Sequence, residues 1–235
     1  MKKLLLISGV LLAFCAATAS ANGVIHLGVG DCSGPSTISN PCTSNTGSFI
    51  LVGSFVSDQA SNQVIGVESI IDLAQAGTLS DWFRTDAAGC RAGRISSDFS
   101  LGAVSCGDLF AGAASGGQGV TYPGTGSTLI PANSERFDVY CAVDAATPLT
   151  IDTSTENAIF HLNISRVGTL GPTACGGCST PTSLYLNDVL VGQEPGHGDF
   201  HESGDGNGQG CSYNGGNTVT PTKSSSWGSI KALYR

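Results

Sequence analysis

The sequence predicts an all-β fold, an antiparallel β-sandwich with long loops. Three runs alternate between apolar and polar side chains, at 63–73, 136–144 and 158–165. Alternation with a period of two is typical of strands that have one buried and one solvated face. A fourth run, Phe49 to Val56, is apolar on both faces, as expected of a central strand. Segments rich in Gly, Ser, Thr and Pro separate these runs, which favours two packed antiparallel sheets over a helical fold.

The alternation also predicts which side chains face the core. We expect three sets to point inward: Ile65, Val67, Ile71 and Leu73; Phe137, Val139, Cys141 and Val143; Ala158, Phe160, Leu162 and Ile164. The opposite faces carry Glu68, Asp72, His161 and Asn163, which we expect to meet solvent.

Two further strands and one helix complete the predicted elements. Val24–Val29 and Ser183–Val191 read as strands, and the second loses phase at Asn187-Asp188, which indicates a bulge. At the C-terminus, Ser225 or Ser226 can cap a short helix that packs Trp227 onto the sandwich. Basic side chains in its last turn complement the helix dipole.

The N-terminus has the form of a secretory signal peptide. Lys2 and Lys3 precede the apolar run Leu4–Ala17, and Ala19-Ser20-Ala21 supplies a small-residue cleavage site. No later run approaches the ~20 apolar residues of a membrane helix. We therefore expect a signal peptide at 1–21 and a single domain at 22–235. The product would be secreted, periplasmic or part of the cell envelope.

Composition narrows the classes of partner. Charged residues make up 12% of the chain and its formal net charge is −8. An acidic chain is a poor match for nucleic acid, whose binding depends on cationic groups that neutralise phosphates. Anionic membrane surfaces are disfavoured for the same reason. A protein or glycan partner remains, and nothing in the chain calls for a cofactor.

The cysteines predict a disulfide framework. The chain has nine cysteines; Cys15 lies in the signal segment, so eight remain in an exported product and are expected to oxidise in pairs. Eight cysteines allow 105 pairings, among which the sequence cannot choose. Nearness along the chain favours Cys32–Cys42, Cys90–Cys106 and Cys175–Cys178. Cys141 would then bond Cys211.

The pattern of strands along the chain resembles that of known families. The order of strands is similar to that of cohesin-like and carbohydrate-binding β-sandwiches, including jelly-roll-like arrangements. The chain also resembles uncharacterised secreted bacterial proteins, through Cys32 in the N-terminal region, Cys175-Gly-Gly-Cys178 before a late strand and the Trp227–Arg235 end. Neither resemblance implies a catalytic residue.

The Cys175-Gly-Gly-Cys178 segment has two chemical alternatives. A redox dithiol needs its first cysteine at a helix N-terminus, and here Ser-Thr-Pro and a strand follow. Zinc would require a second such pair. We therefore expect a structural disulfide.

The segment from His197 to Asp205 is the first candidate for an ion site. It gathers imidazoles and carboxylates between glycines: His197, Asp199, His201, Glu202 and Asp205. Such oxygen donors can surround calcium, and two histidines four apart can bind a transition metal on a helix. The calcium-loop pattern is broken and the glycines disfavour a helix. A solvated loop with no bound metal is the preferred interpretation.

Evidence for an enzyme is sparse. The sequence has no Gly-x-Ser-x-Gly elbow, and His26 and His161 lie on outward strand faces. Glu68 and Asp72 would stand about 13 Å apart on a strand, beyond the usual glycosidase separation. Glu135 and Glu156 have no evident partner.

The sequence thus predicts a secreted interaction or structural module without catalysis. A carbohydrate-binding domain is the first alternative and requires exposed aromatic rings, for which Tyr122, Tyr185 and Tyr213 are the candidates. A secreted hydrolase is the second alternative and requires a cleft that holds a histidine or a pair of carboxylates.

Overall fold

A computed structural model describes residues 23–122, 133–204 and 209–216. Within these ranges the chain forms thirteen β-strands and one short 3₁₀ turn at Asp81–Phe83. The strands are β1 Val24–Val29, β2 Thr37–Ile38, β3 Ser48–Val56, β4 Ser61–Ala74, β5 Ile95–Asp98, β6 Gly107–Asp108, β7 Ser115–Thr121, β8 Ser134–Ala142, β9 Leu149–Ile151, β10 Glu156–Ser165, β11 Thr182–Gln193, β12 Phe200–Glu202 and β13 Gly210–Tyr213. The predicted all-β class is therefore confirmed.

The strands form two sheets. Sheet A has the order β1-β3-β10-β5, with β6 beside β10. Sheet B has the order β2-β13-β11-β4-β8-β7, with β12 beside β11 and β9 beside β4. All pairings are antiparallel except the two-residue pairs β6–β10 and β2–β13. The sheets pack face to face as an antiparallel β-sandwich with long loops.

The core contains most of the side chains that alternation predicts. Phe137, Val139 and Cys141 of β8 are buried between the sheets, as are Leu162 and Ile164 of β10. Phe55 and Leu51 of β3 lie in the same cluster, whereas Val52 packs on the other face of the strand. The strand β3 is thus apolar on both faces because both are covered, and it lies between β1 and β10.

Two predicted core residues face elsewhere because bulges change the phase of their strands. Val64 is buried in place of Ile65, next to a register shift between β4 and β11. In β10 the register shifts between Ala158 and Phe160, so Ile159 and Phe160 both reach the core while Ala158 packs on the outer face. A bulge adds one residue to one strand and therefore reverses the alternation beyond it. The bulge predicted at Asn187-Asp188 is confirmed by the shift between Leu186 and Asp188.

The predicted C-terminal helix at 225–235, with Trp227, lies outside the described residues, as does the signal segment. No helix within the described ranges is long and apolar enough to span a membrane.

Candidate functional site

One end of the sandwich gathers three loops, which we call the loop end: residues 39–47, 75–94 and 166–181. The register of the strands brings these loops together. Ser48 at the start of β3 pairs with Ser165 at the end of β10, and Ala74 at the end of β4 pairs with Ser183 near the start of β11. The segments that precede β3, follow β4 and connect β10 to β11 therefore emerge side by side.

Two disulfides join these three loops. Cys42 bonds Cys178 and Cys90 bonds Cys175, so the Cys-Gly-Gly-Cys segment links the 166–181 loop to both of its neighbours. The predicted Cys175–Cys178 bond is therefore wrong. Both sulfur atoms are consumed in disulfides, and β11 rather than a helix follows the segment at Thr182. Neither the redox geometry nor a thiolate ligand for zinc is present.

The third disulfide joins Cys32 to Cys106. It lies over the outer face of sheet A, where Leu101 packs on Val52 and Ala158. The predicted Cys32–Cys42 and Cys90–Cys106 bonds are wrong. Cys32 and Cys106 lie over sheet A, whereas Cys42 and Cys90 lie in the loops of the loop end, so cysteines that are close in sequence are apart in the fold. Disulfides over separations of 74, 136 and 85 residues connect distant parts of the chain instead.

The predicted Cys141–Cys211 bond is also wrong, and both thiols are free and buried. Cys141 lies on β8 and Cys211 on β13, with β11 and β4 between them. Three strand spacings amount to about 14 Å, which is twice the Cα separation that a disulfide tolerates. Burial raises the pKa of each thiol to about 12, so neither is a reactive nucleophile near neutral pH. The prediction that Cys141 is on the buried face is confirmed.

Beneath the loops, Arg91 is buried against Trp82. Its guanidinium carbon is 3.6 Å from the centre of the indole ring, and the residue is 1% exposed. The guanidinium donates hydrogen bonds to the carbonyls of Trp82, Ser165 and Val167. Trp82 lies in the 75–94 loop, Ser165 ends β10 and Val167 lies in the 166–181 loop. Burial lowers the pKa of Arg91 to about 10. The cation is retained because carbonyl oxygens and the indole face replace water around it.

Glu135 anchors the 75–94 loop from the start of β8. This fully buried carboxylate at the start of β8 accepts hydrogen bonds from the Thr85 backbone N–H at 2.9 Å, the Thr85 hydroxyl at 2.7 Å and the Asp86 N–H at 2.8 Å. Burial is the largest influence and raises the pKa of Glu135 to about 7, although these hydrogen bonds oppose it. The sequence shows no partner for Glu135, because its donors are two backbone N–H groups and one hydroxyl about fifty positions away.

Basic and acidic side chains are unevenly distributed. Every lysine or arginine within the described ranges is an arginine at or beside the loop end: Arg84, Arg91, Arg94, Arg136 and Arg166. The opposite end carries carboxylates in the connections after β3, β8, β9 and β11: Asp58, Asp144, Asp152, Glu194 and Asp199. The longest strand that joins the two ends has fourteen residues, or about 45 Å. The loop end therefore differs from the opposite end in its basic side chains, which lie beside its own carboxylates Asp81, Asp86 and Glu135.

The candidate ion-site residues that the structure describes are not brought together. His201 is exposed and contacts Asp188 at 2.8 Å, whereas Glu202 on the opposite face of β12 is buried and accepts from the N–H groups of Gly23 and Asp58 and from the hydroxyl of Ser57. Asp199 accepts from the Gln193 N–H. His197 lies in a turn where its own N–H bonds the carbonyl of Glu194, and Asp205 is outside the described residues. No group of three metal-ligating side chains occurs in the described part of the chain.

The other predicted pair of carboxylates, Glu68 and Asp72, lies on the outer face of sheet B. Asp72 forms a bidentate ion pair with Arg136 at 2.7 Å and accepts from the Asn187 amide. Glu68 is exposed and stands opposite Tyr140. Asp72 therefore links β4 to the neighbouring strands β8 and β11, and Glu68 takes no part in this link.

One cluster has the composition of a hydrolase triad but not its connectivity. On the outer face of sheet A, His26 Nδ1 and the Ser54 hydroxyl each lie 2.7 Å from the same Glu156 oxygen, Oε1. In a serine triad the imidazole stands between the hydroxyl and the carboxylate, so that it can accept the proton from serine. Here the carboxylate stands in the middle, and the Ser54 hydroxyl is fully buried. Glu156, which had no predicted partner, thus has a structural one.

The three tyrosines that were candidates for a sugar-binding surface do not form one. Tyr213 is fully buried and Tyr185 is 8% exposed, so the expectation that they are exposed is wrong. One face of the Tyr122 ring is covered by the Arg84 guanidinium at 4.2 Å. The exposed ring that sequence analysis missed is Tyr140, 52% exposed on β8. Its outward orientation was readable from the alternation of 136–144, whereas its place opposite Glu68 is known only from the strand register.

Comparison with known proteins adds one structural likeness. The chain is similar to a cohesin module from a family 33 glycoside hydrolase of Clostridium perfringens ATCC13124, with a TM-score of 0.36 and 10% sequence identity; the match covers 78% of this chain and 96% of that module. No protein-family model matches the chain, and no curated protein matches it. The function is therefore inferred from the chain's own geometry.

Proposed function

We propose that this protein is an exported, non-catalytic interaction module that binds a macromolecular partner through its loop end. Export is part of the proposal: a signal peptide at 1–21 would deliver a single domain, 22–235, to the cell envelope or the medium. The three disulfides fit an oxidising compartment outside the cytoplasm.

The observation that carries the proposal is the pair of disulfides that leave Cys175 and Cys178 for different loops. Loops at the end of a sandwich are the usual place for binding residues. Free loops lose conformational entropy when they bind, and covalent links remove much of that cost in advance. A surface of three loops held by two disulfides and by the buried Arg91 is thus suited to recognition.

The two alternatives lack a comparable feature within the described residues. A sugar-binding sandwich needs an accessible row of rings, and of the three candidate tyrosines two are buried and the third is covered by Arg84. A serine hydrolase needs an accessible hydroxyl beside an imidazole, whereas the Ser54 hydroxyl is buried and donates to Glu156. We therefore favour binding without chemistry.

Site-specific photo-crosslinking in the native host tests the proposal. A benzoylphenylalanine at Leu170, exposed on the loop end, is compared with one at Ala145, exposed at the opposite end. We expect a discrete adduct from position 170 and none from position 145. Adducts from both positions alike, or from neither, would contradict a partner at the loop end.

Mass spectrometry of the purified product tests export and oxidation. We expect a mature N-terminus after Ala21, three disulfides and two thiols. A full-length chain with eight reduced thiols beyond residue 21 would refute the proposed location.

A further inference from the structure

The loop end carries two arginines whose charge is not balanced by an acid. Within the described ranges, Arg84 pairs with Asp86 and Arg136 pairs with Asp72, and the buried Arg91 is surrounded by carbonyls. Neither Arg94 nor Arg166 forms an ion pair in these ranges. A surface arginine usually has water as its only partner, so the positions and surroundings of these two decide whether they form a site.

Arg94 and Arg166 lie next to each other. The Ser165 N–H donates to the Arg94 carbonyl at 3.0 Å, and Arg166 follows directly and donates from its own N–H to Gly47. The Arg166 guanidinium carbon rests 4.4 Å from the centre of the Phe49 ring, which fixes the side chain across the edge of the sandwich. Arg94 is exposed and precedes β5. One cation is therefore held in place and the other is free to adapt.

The loop that carries Arg166 is held in place by hydrogen bonds and disulfides. Val167 offers its carbonyl to Arg91, and the N–H groups of Thr169 and Leu170 both donate to the Asn45 side chain. Cys175 and Cys178 then tie the same loop to its neighbours. Arg166 is thus presented from a preorganised segment, and the Arg94 carbonyl is hydrogen-bonded to Ser165, which directly precedes Arg166.

Three exposed aliphatic side chains lie near the arginines along the chain or on a neighbouring strand. Val167 is 40% exposed and Leu170 is 43% exposed, beside Arg166 in sequence, and Ile50 is 36% exposed on the outer face of sheet A. Ile50 stands opposite Asn163, two residues before the Ser165 that bonds Arg94. Aliphatic groups offer little to a polysaccharide, which prefers aromatic rings, but they match the side chains of a peptide.

We propose that the surface formed by Arg94, Arg166, Val167, Leu170 and Ile50 binds an acidic segment of a protein in which carboxylates alternate with aliphatic residues. The guanidinium groups would take the carboxylates through paired N–H donors, and the aliphatic side chains would pack on Val167 and Leu170. The inference rests on the proposed function and names the chemistry of its partner. It gives a role to the two described arginines of the loop end that form no ion pair within the described ranges.

Fluorescence anisotropy with defined probes tests this inference. The probes are a labelled twelve-residue peptide rich in Glu and Leu, its counterpart with Gln for Glu, and labelled heparin as a sulfated glycan. We expect the acidic peptide to bind, its Gln counterpart to bind at least about ten-fold more weakly, and the affinity to fall as salt rises, because exposed charge pairs are screened.

Variants separate a local site from net charge. Arg94→Gln with Arg166→Gln removes two positive charges and should weaken binding of the acidic peptide about ten-fold or more. Gln59→Glu with Asn62→Asp changes the net charge by the same amount at exposed positions of the opposite end and should leave binding unchanged. Because Arg166 also packs on Phe49, the single variant Arg94→Gln gives an independent reading at an exposed position. Circular dichroism and a thiol count verify that each variant is folded.

Each other outcome overturns the inference. Tighter binding of heparin than of the peptide would assign the surface to a sulfated glycan, and equal losses in the two charge-matched variants would assign the effect to net charge. If the wild type binds no acidic peptide while crosslinking from position 170 succeeds, the partner chemistry is wrong and the binding module stands. If both experiments fail, the proposed function fails with the inference.

Discussion

Removal of the Cys90–Cys175 disulfide should weaken the fold by a predictable amount. The bond closes a sequence separation of 85 residues, for which the loop-entropy model gives about 4–5 kcal/mol at 25 °C. The Cys42–Cys178 bond already connects the same regions through a shorter path, which lowers the figure to about 4 kcal/mol. Native disulfides measured singly contribute about 2–5 kcal/mol. We therefore expect the free energy of unfolding to decrease by an amount within that range.

The assay is urea unfolding of the Cys90→Ala/Cys175→Ala variant, followed by the fluorescence of the buried Trp82. With a slope of about 2–3 kcal/mol per molar urea, the midpoint should fall by about 1–2 M. Cys141→Ala is the matched control, because it removes a buried sulfur that is in no disulfide and leaves only a small cavity, which costs about 1 kcal/mol.

The number of thiols decides the pairing independently of stability. The double variant should contain two thiols, Cys141 and Cys211, as the wild type does. If the cysteines paired by nearness along the chain, the wild type would contain no free thiol. The variant would then contain free thiols at Cys106 and Cys178. Peptide mapping that finds thiols at those two positions, or a midpoint equal to that of the wild type, would refute the proposed role of this bond.

Three further predictions concern buried groups. Cys141 and Cys211 should resist a thiol reagent at pH 8 in the native protein and react fully in guanidinium, because both are buried and the pKa of each is raised to about 12; labelling without denaturant would contradict their burial. Glu135 has a pKa raised to about 7, above its ordinary 4.5, so its stabilising contribution is complete below about pH 4.5 and is lost as the pH rises through 7. Glu135→Gln should therefore flatten the pH dependence of the urea midpoint between these values. An unchanged pH profile would show that the carboxylate is ionised throughout. Arg91→Met should destabilise the fold by about 3–5 kcal/mol in thermal or urea unfolding, because it leaves buried carbonyls without a donor, and a change below about 1 kcal/mol would refute this role.

The fold class was readable from the sequence because strand alternation is local. Each strand reports its own buried face through residues two apart, and β8 and the second half of β10 follow the prediction. The errors at Ile65 and Ala158 arise where a bulge inserts one residue, because the position of a bulge depends on the partner strand and not on the strand alone. The bulge at Asn187-Asp188 was visible only because polar residues interrupt the apolar pattern there.

The candidate site was readable to a smaller degree. The motif Cys175-Gly-Gly-Cys178 drew attention to the correct loop, but its two bonds join residues 136 and 85 positions away. Glu135, Arg91 and Arg94 show no motif at all. Glu135 contacts groups of Thr85 and Asp86, and both Arg91 and Arg94 contact Ser165, which lies more than seventy positions away. No spacing along the chain encodes that proximity.

The amino-acid sequence by itself determined that the described chain forms strands, which side chains most of those strands bury, and that enough cysteines exist to crosslink the loops. These properties follow from the alternation of neighbouring side chains and from composition. Only the tertiary structure decided which cysteines meet, which carboxylates are buried, and that the described arginines share one end. Those outcomes depend on the order of strands across two sheets, which brings together residues that the chain separates by tens of positions.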